Sequence, residues 1–201
     1  KKPDIIHLHF PWPTIEIFTV LNKIQKPIVL TFHCDTFKNR FIKFFYNPIV
    51  KLFLNQVSYI VGTSSNTIKT TKVLLPYQDK CEIVHLWLDE ERFSGLGEAD
   101  IKIKNLIEPI SEYGLFVGVL RWYKGLTYLL EAAKECEKDI IIVGKGPLLG
   151  SLKEQIRQQN IKNVHLLGFL SDKNVKYLIK NSSFIVLPSI SPAEEFGQIL
   201  L

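Results

Sequence analysis

The sequence predicts an α/β fold built from two parallel-sheet halves. Three observations carry that expectation: short apolar runs rich in β-branched residues recur along the chain, amphipathic segments of helical period separate them, and the alternation breaks once near residue 95 before it resumes. A strand, a helix and a further strand in that order imply a right-handed crossover, and the strands it joins are parallel.

Asp4 to Phe10 reads as the first strand, and Pro11-Trp12-Pro13 hands the chain to an amphipathic helix from Thr14 to about Lys26. Pro27 to His33 is a second strand that ends in the polar cluster His33-Cys34-Asp35-Thr36. From Phe37 to about Asn55, apolar residues at 37, 41, 44, 45, 49, 52 and 53 predict a helix with those side chains on its buried face and a kink at Pro48. Val57 to Gly62 is a third strand, Ser64 to about Leu74 a polar helix, and Cys81 to Trp87 a fourth strand. From Asp89 to Asn105 the residues turn charged and small, with Gly95 and Gly97 among them, and a linker is expected there.

A second alternation follows: strand Tyr113 to Leu120, helix Lys124 to Lys134, strand Asp139 to Val143, helix Leu148 to Gln159, strand Val164 to Leu167, helix Asn174 to Lys180 and strand Phe184 to Leu187. The chain therefore reads as two Rossmann-like halves, a first domain over residues 1–94, a linker over 95–110 and a second domain over 111–201. No period of about 20 to 50 residues repeats, so a solenoid is not expected.

Composition narrows the function. With 201 residues and 46% hydrophobic content, the chain is a packed globular protein. No apolar run reaches the ~18 to 20 residues of a membrane span, and no charged leader with a short apolar core opens the chain. The start at Lys1-Lys2-Pro3 without Met, and the end inside an apolar segment, lead us to expect a fragment lacking both natural ends. The cysteines Cys34, Cys81 and Cys136 are scattered and odd in number, which argues against a disulfide framework or a zinc site and suits a cytoplasmic protein. A net charge of +5 suits phosphates, nucleotides or acidic lipid head groups, but it is no basic stripe, and a nucleic-acid partner is not expected.

The candidate chemistry lies at strand ends. Gly118 at the end of one strand, followed by Arg121 and Lys124 beside a helix start, is an arrangement suited to a diphosphate, although taken alone it reads equally as a solvated turn. Gly144-Lys145-Gly146-Pro147 is a second glycine-rich turn; it has neither the Walker A spacing nor a full GxGxxG, and by itself is only a tight turn. His33 and Asp35 stand at the carboxyl end of the second strand, a place for a cleft. His7 and His9 share one face of the first strand without a third ligand at plausible spacing, so no metal site is expected. The final stretch, Ser191-Pro-Ala-Glu194-Glu195-Phe196-Gly197 and onward, follows the last strand as a polar loop and a helix start, a position where an anionic or hydroxyl-rich ligand meets free N–H groups.

Taken together these segments resemble a retaining glycosyltransferase of the GT-B fold, family 4, also called glycosyl transferases group 1. Val117 to Gly125 is similar to the family's VGRLxxxKG, Gly144 to Pro147 to its GxGP, and Val164 to Ser171 to its VxxxGxxS. Pro188-Ser189 with Glu194 to Leu201 resembles the PSxxEx(F)G segment that leads into an E-x7-E motif. In the first half, DIIHLHFPWP, KPIVLTFHCD and Lys80 to Phe93 are similar to segments in the same order. Three features depart: Val119 replaces the usual Arg, with Arg121 on the same side by alternation as its substitute; Val84 to Asp89 lacks the usual Pro and Gly; and the E-x7-E match stops at its first Glu.

The resemblance implies two Rossmann-like domains facing across a cleft, and transfer of a hexose from a UDP- or GDP-sugar to a saccharide or lipid-linked acceptor in cell-surface polysaccharide or glycolipid synthesis. It implies no cofactor and no metal. His33, Lys124 and Glu194 would be catalytic. Gly118, Arg121, Lys124, Gly144, Gly146, Glu194, Phe196 and Gly197 would hold the donor, with His33 and Asp35 on the acceptor side. Segment 37–55, which carries Lys38, Arg40, Lys43 and Lys51 and no acid, would touch an anionic membrane, making the protein peripheral on the inner face. A chain without the missing parts is expected to turn over poorly. Two other readings share the fold, a GT-B sugar-nucleotide epimerase and a non-catalytic sugar-nucleotide-binding module; the VGxLxxxKG and EEFG segments favour transfer.

Overall fold

The structure, a computed structural model, describes residues 2–34, 40–85, 87 and 99–191, and only the backbone of Arg40, Ile42 and Lys43. The chain forms two compact units, Lys1–Trp87 and Leu88–Leu201. Each is an α/β unit on a parallel sheet, Rossmann-like as the alternation predicts.

In the first unit β1 (Ile6–Phe10), β2 (Ile28–Phe32), β3 (Tyr59–Gly62) and β4 (Cys81–Ile83) lie in that order, all parallel. They are joined by α1 (Pro13–Asn22), α2 (Arg40–Gln56), α3 (Ser65–Thr70) and a 3₁₀ turn, Leu75–Lys80. Helix α1 begins on a proline, whose missing N–H costs nothing at a first helical position, and stops at Lys23, a residue of left-handed φ (44°), short of the Lys26 expected. The fourth strand is likewise only three residues long, and the polar helix from Ser64 gives way to the 3₁₀ turn.

The buried face of α2 matches the expected one only at Phe53 and the half-buried Ile49. Tyr46, Val50, Phe53, Leu54 and the following Val57 pack on Phe10, Leu30, Phe32 and Ile60, whereas Phe41, Phe44, Phe45 and Leu52 are 79%, 71%, 72% and 53% exposed. Both sets recur at helical spacing, so the helix carries two apolar stripes and the sheet takes one of them. The helix also continues through Pro48.

Glu16 couples α1 to α2. It is 1% exposed; its Oε1 accepts from the Trp12 N–H at 2.7 Å and its Oε2 from the Tyr46 hydroxyl. Burial outweighs these bonds and pushes the carboxyl above its ordinary 4.5. The fold therefore favours the protonated form. That stabilisation is fully present below the unfolded value and is lost as pH rises through the higher folded one. Glu16→Gln, which keeps an oxygen for Trp12, is expected to flatten the loss of stability on going from acid to neutral pH; urea midpoints with the same slope as the parent across that range would sink this account.

In the second unit β5 (Tyr113–Val117), β6 (Asp139–Val143), β7 (Val164–Gly168) and β8 (Phe184–Ile185) form a parallel sheet in the order β7-β6-β5-β8. Its helices are α4 (Ile101–Ile107), α5 (Leu126–Lys134), α6 (Leu149–Gln158) and α7 (Asp172–Asn181). Strand β6 reads Asp-Ile-Ile-Ile-Val because both faces are covered. Ile140 and Ile142 pack with Leu126, Leu130 and Leu152 of α5 and α6. Ile141 and Val143 pack with Ile103, Ile107 and Leu178 of α4 and α7.

Helix α4 lies inside the stretch expected to be a linker. Ile103 and Ile107, one turn apart, are buried in the second unit's core, and the Asp100 carboxylate ahead of them takes hydrogen bonds from Asn174 at 2.8 Å and Lys173 at 2.5 Å on α7. Residues 100–107 thus belong to the second unit. Seven residues, Ile-Lys-Ile-Lys-Asn-Leu-Ile, are too few for a helical period to stand out from the charged stretch before them.

Candidate functional site

The strand order β7-β6-β5-β8 places consecutive crossovers on opposite sides of β5, so the chain's direction of winding reverses between β5 and β8. In an open parallel sheet that switch point leaves a crevice at the strands' carboxyl ends, where ligands bind. Four loops meet there, laced by backbone bonds: the Leu120 N–H donates to the Lys145 oxygen (3.0 Å), Leu148 to Leu120 (3.1 Å), Gly144 to Gly168 (2.7 Å) and Ile190 to Tyr123 (2.9 Å).

Glycines allow this approach. At Gly144, φ is 146° and an added Cβ would sit 1.8 Å from the Gly118 carbonyl oxygen; at Gly125, φ is 67° and the Cβ would sit 1.9 Å from the Pro188 oxygen. Gly146 has its Cβ space filled by the Leu120 backbone. Gly144 and Gly146, a tight turn on the residues alone and part of the donor site by the resemblance, are required here by chain meeting chain.

Lys124 ends a 3₁₀ turn, Trp122–Lys124, and its ammonium lies over Gly118, 3.7 Å from where a Cβ there would be. Its Nζ is also 5.8 Å from the Tyr123 ring centroid. Leu120 is fully buried while Val119, 48% exposed, and Arg121, also exposed, flank it; the Arg121 N–H donates to the Val119 oxygen at 2.9 Å, so the chain turns at Leu120 and does not run extended as alternation requires. Two residues missed in sequence stand beside them. Lys145, on the glycine-rich turn, holds its Nζ 4.9 Å from the ring centroid of Phe169, itself 70% exposed at the end of β7. Arg121, Lys124 and Lys145 make the switch point cationic, suited to a phosphorylated ligand. Glu194, Phe196 and Gly197 lie outside the described residues, as does Asp35.

The first unit carries its own polar cluster. On β1 and β2, Leu8, Phe10, Leu30 and Phe32 point to the core, and the alternate residues His7, His9, Thr31 and His33 line the other face. His33 extends the ladder by donating its N–H to the Phe10 oxygen at 3.0 Å. His9 Nδ1 is 2.8 Å from His33 Nε2, and His7 Nε2 is 2.8 Å from Thr31 Oγ1. Burial, then the charges of His9 and His7, hold His33 below the ordinary histidine value of 6.5. Its third-histidine position was invisible to a search by spacing, because residue 33 joins 7 and 9 only through the pairing of β1 with β2. With these nitrogens spent on each other and on Thr31, they do not converge on one point, and no group of three or more metal-ligating side chains able to hold an ion occurs among the described residues.

Residues 98–201 match the family model described as Glycosyl transferases group 1, and residues 1–92 match Glycosyltransferase Family 4. The chain is 35% identical, over its whole length and 52% of the relative, to D-rhamnosyltransferase WbpZ of Pseudomonas aeruginosa. It is 31% identical, over 98% of its length and 53% of the relative, to O-antigen chain mannosyltransferase C of Escherichia coli. It therefore spans about half the length of these curated relatives. Among solved structures it is similar to HepE of Anabaena in complex with UDP-glucose (TM-score 0.72, 16% identity, 98% of this chain and 56% of that one). It is also similar to the lipopolysaccharide outer core galactosyltransferase WaaB (TM-score 0.66, 17% identity, 98% and 53%). These likenesses fit the GT-B class of fold that the sequence motifs resemble.

Proposed function

Because this chain belongs to the glycosyl transferases of group 1 and family 4, we propose that the protein of which it is part transfers a hexose from a UDP- or GDP-sugar to a saccharide or lipid-linked acceptor. We place that step in the assembly of a cell-surface polysaccharide at the cytoplasmic face of the membrane, with retention of anomeric configuration. The observation that carries the reading is the Lys124 ammonium held over Gly118 at the switch point of the second sheet. The relatives' names, a rhamnosyltransferase and an O-antigen mannosyltransferase, support a hexose and a surface glycan.

Transfer breaks the bond between the anomeric carbon and the diphosphate and forms one from that carbon to an acceptor hydroxyl oxygen; the hydroxyl proton leaves with the diphosphate or passes to water. Negative charge grows on the phosphate as positive charge grows on the sugar. A cation fixed beforehand at the phosphate lowers that barrier without reorganising. Lys124 supplies it, Arg121 and Lys145 add to the field, and Glu194, Phe196 and Gly197 are assigned the sugar's hydroxyls and phosphate by the family motif they match. His33 and Asp35 are assigned to the acceptor.

The test is acceptor-dependent release of nucleoside diphosphate by the full-length protein, with UDP- and GDP-hexoses screened in parallel and the product's anomeric configuration read by NMR. Release with one donor and an α-linked product from an α-donor is the expected result. Nucleotide binding without any transfer to any acceptor lipid or glycan would sink the reading.

A membrane surface is proposed on the first unit. Phe18 and Leu21 of α1 (57% and 75% exposed) and Phe41, Phe44 and Phe45 of α2 leave apolar side chains in solvent, with exposed Lys23, Lys26 and Lys51 on the same two connections. Large exposed aromatics among cations are what an anionic bilayer interface takes up. No described helix is long and apolar enough to cross a membrane. The double variant Phe44→Ser/Phe45→Ser is expected to cut flotation with phosphatidylglycerol vesicles at least tenfold, with phosphatidylcholine vesicles binding weakly throughout; parent and variant floating alike would refute this surface.

A further inference from the structure

The His9–His33 contact has a geometry that fixes more than proximity. The two rings are within 9° of parallel with centroids 5.1 Å apart, yet their nitrogens are 2.8 Å apart. Face-to-face stacking cannot reach that centroid separation with so short a nitrogen contact. Both nitrogens must lie close to the line joining the centroids, with the rings edge to edge in one plane. This is a hydrogen bond along the lone-pair direction, and it joins the Nδ1 of His9 to the Nε2 of His33.

We propose that His9 is a positioning residue for His33: by holding the Nε2 edge, it locks the ring's plane, so that Nδ1 is the nitrogen His33 presents to the reacting sugar or acceptor. The proposal rests on the transferase reading for what His33 meets, and on the structure for how it is held. Behind the pair, the His7 ring lies 4.8 Å from that of His9, tilted by 32°, and is tied by its own Nε2 to the Thr31 hydroxyl. Thr31 is the register partner of His9 on β2. The anchoring thus runs from the β2 backbone through Thr31 to His7, alongside His9, and back to the end of β2 at His33.

Proton counting gives the pair a distinctive titration. A nitrogen–nitrogen hydrogen bond needs one N–H and one lone pair. The neutral pair and the singly protonated pair both satisfy it. The doubly protonated pair sets N–H against N–H and breaks it, so the second proton is resisted. The other groups around the pair are His7 on β1, the Thr31 hydroxyl on β2 and Cys34 next in the chain. Asp35 lies outside the described residues. Of the described residues, those whose charges act on His33 are His9 and His7, and both oppose its protonation.

Two measurements on the full-length protein test this. In ¹⁵N NMR of the imidazoles, His33 should take its proton at higher pH in His9→Phe than in the parent. In the transfer assay, His9→Phe should lower kcat about tenfold, leave the donor KM within twofold and move the acid limb of the profile upward. His9→Asn, whose amide reaches the position of Nδ1, should recover most of the loss. An unchanged His33 titration in His9→Phe overturns the proposal whether or not transfer is seen, and unchanged kcat and acid limb overturn it where transfer is seen. A parent that transfers nothing overturns the transferase reading and the positioning role with it, while the NMR titration still decides the pair itself.

Discussion

Lys124→Ala in the full-length protein is expected to lower kcat for acceptor-dependent release of nucleoside diphosphate by about 10²- to 10³-fold, the scale on which removing one preorganised charge-stabilising group acts. The side chain's foundation is rigid. The Lys124 N–H donates to the Arg121 oxygen at 3.1 Å, Gly125 closes the turn in the left-handed region, and the neighbouring Tyr123 oxygen is held by the Ile190 N–H from the loop after β8. An ammonium on such a turn needs no reordering as charge grows on the leaving phosphate. Its effect therefore falls on the transition state more than on the bound donor, and the donor KM should change much less than kcat. Lys124→Arg should recover only part of the rate, because the broader guanidinium must share the space over Gly118 with the Phe116 ring, whose Cζ is 3.3 Å from a Cβ built there. Steady-state kinetics at saturating acceptor decide it: a kcat within threefold of the parent would remove Lys124 from the chemistry.

The parts of this fold that were readable from sequence are those where one local pattern has one physical solution. An unbroken Asp-Ile-Ile-Ile-Val run has to be covered on both faces, and β6 is. Proline before Thr14 marks a helix start that the structure places within one residue of the expectation, and the helix expected from Lys124 begins two residues later, at Leu126. Helix α2 was misread in part, at Phe41, Phe44, Phe45 and Leu52 but not at Ile49 and Phe53, because its two apolar stripes are equally periodic, and only the position of Phe10, Phe32 and Ile60 beneath it selects Tyr46, Val50 and Leu54 as well. Helix α4 was missed because its seven residues, four of them apolar, are too short a run for a helical period to show beside a charged linker. In the site, Lys124 beside Gly118 was legible, since both fall in one nine-residue segment. The His9–His33 bond was not: it joins residues 24 apart, and only the register that pairs Phe10 with Phe32 brings them together.

The glycines give the sharpest contrast between what a residue type suggests and what its surroundings require, and Gly144→Ala is the second large effect expected. At φ 146° an L-residue is strained by about 1–3 kcal/mol before any contact is counted. The new methyl would then lie 1.8 Å from the Gly118 oxygen and 3.5 Å from Leu120 Cδ2, so the loop after β5 or the loop after β6 has to move. Either shift pulls on the bond from the Gly118 N–H to the Val143 oxygen (3.0 Å) and on the one from Leu120 to Lys145. Together these costs should exceed about 3 kcal/mol, a large share of a domain's stability. They should also displace Gly118 from under Lys124, so donor binding falls along with stability. Gly150→Ala supplies the control from the same unit. It lies in α6 with open space where its Cβ would go, and alanine there should stabilise by about 0.5–1 kcal/mol by restricting the unfolded chain. Hydrogen-exchange protection of the β5 and β6 amides reads both variants on one scale: protection should collapse in Gly144→Ala and rise slightly in Gly150→Ala. Equal protection in the two would mean that the loops at the switch point have slack, and that Gly144 serves the ligand and not the chain.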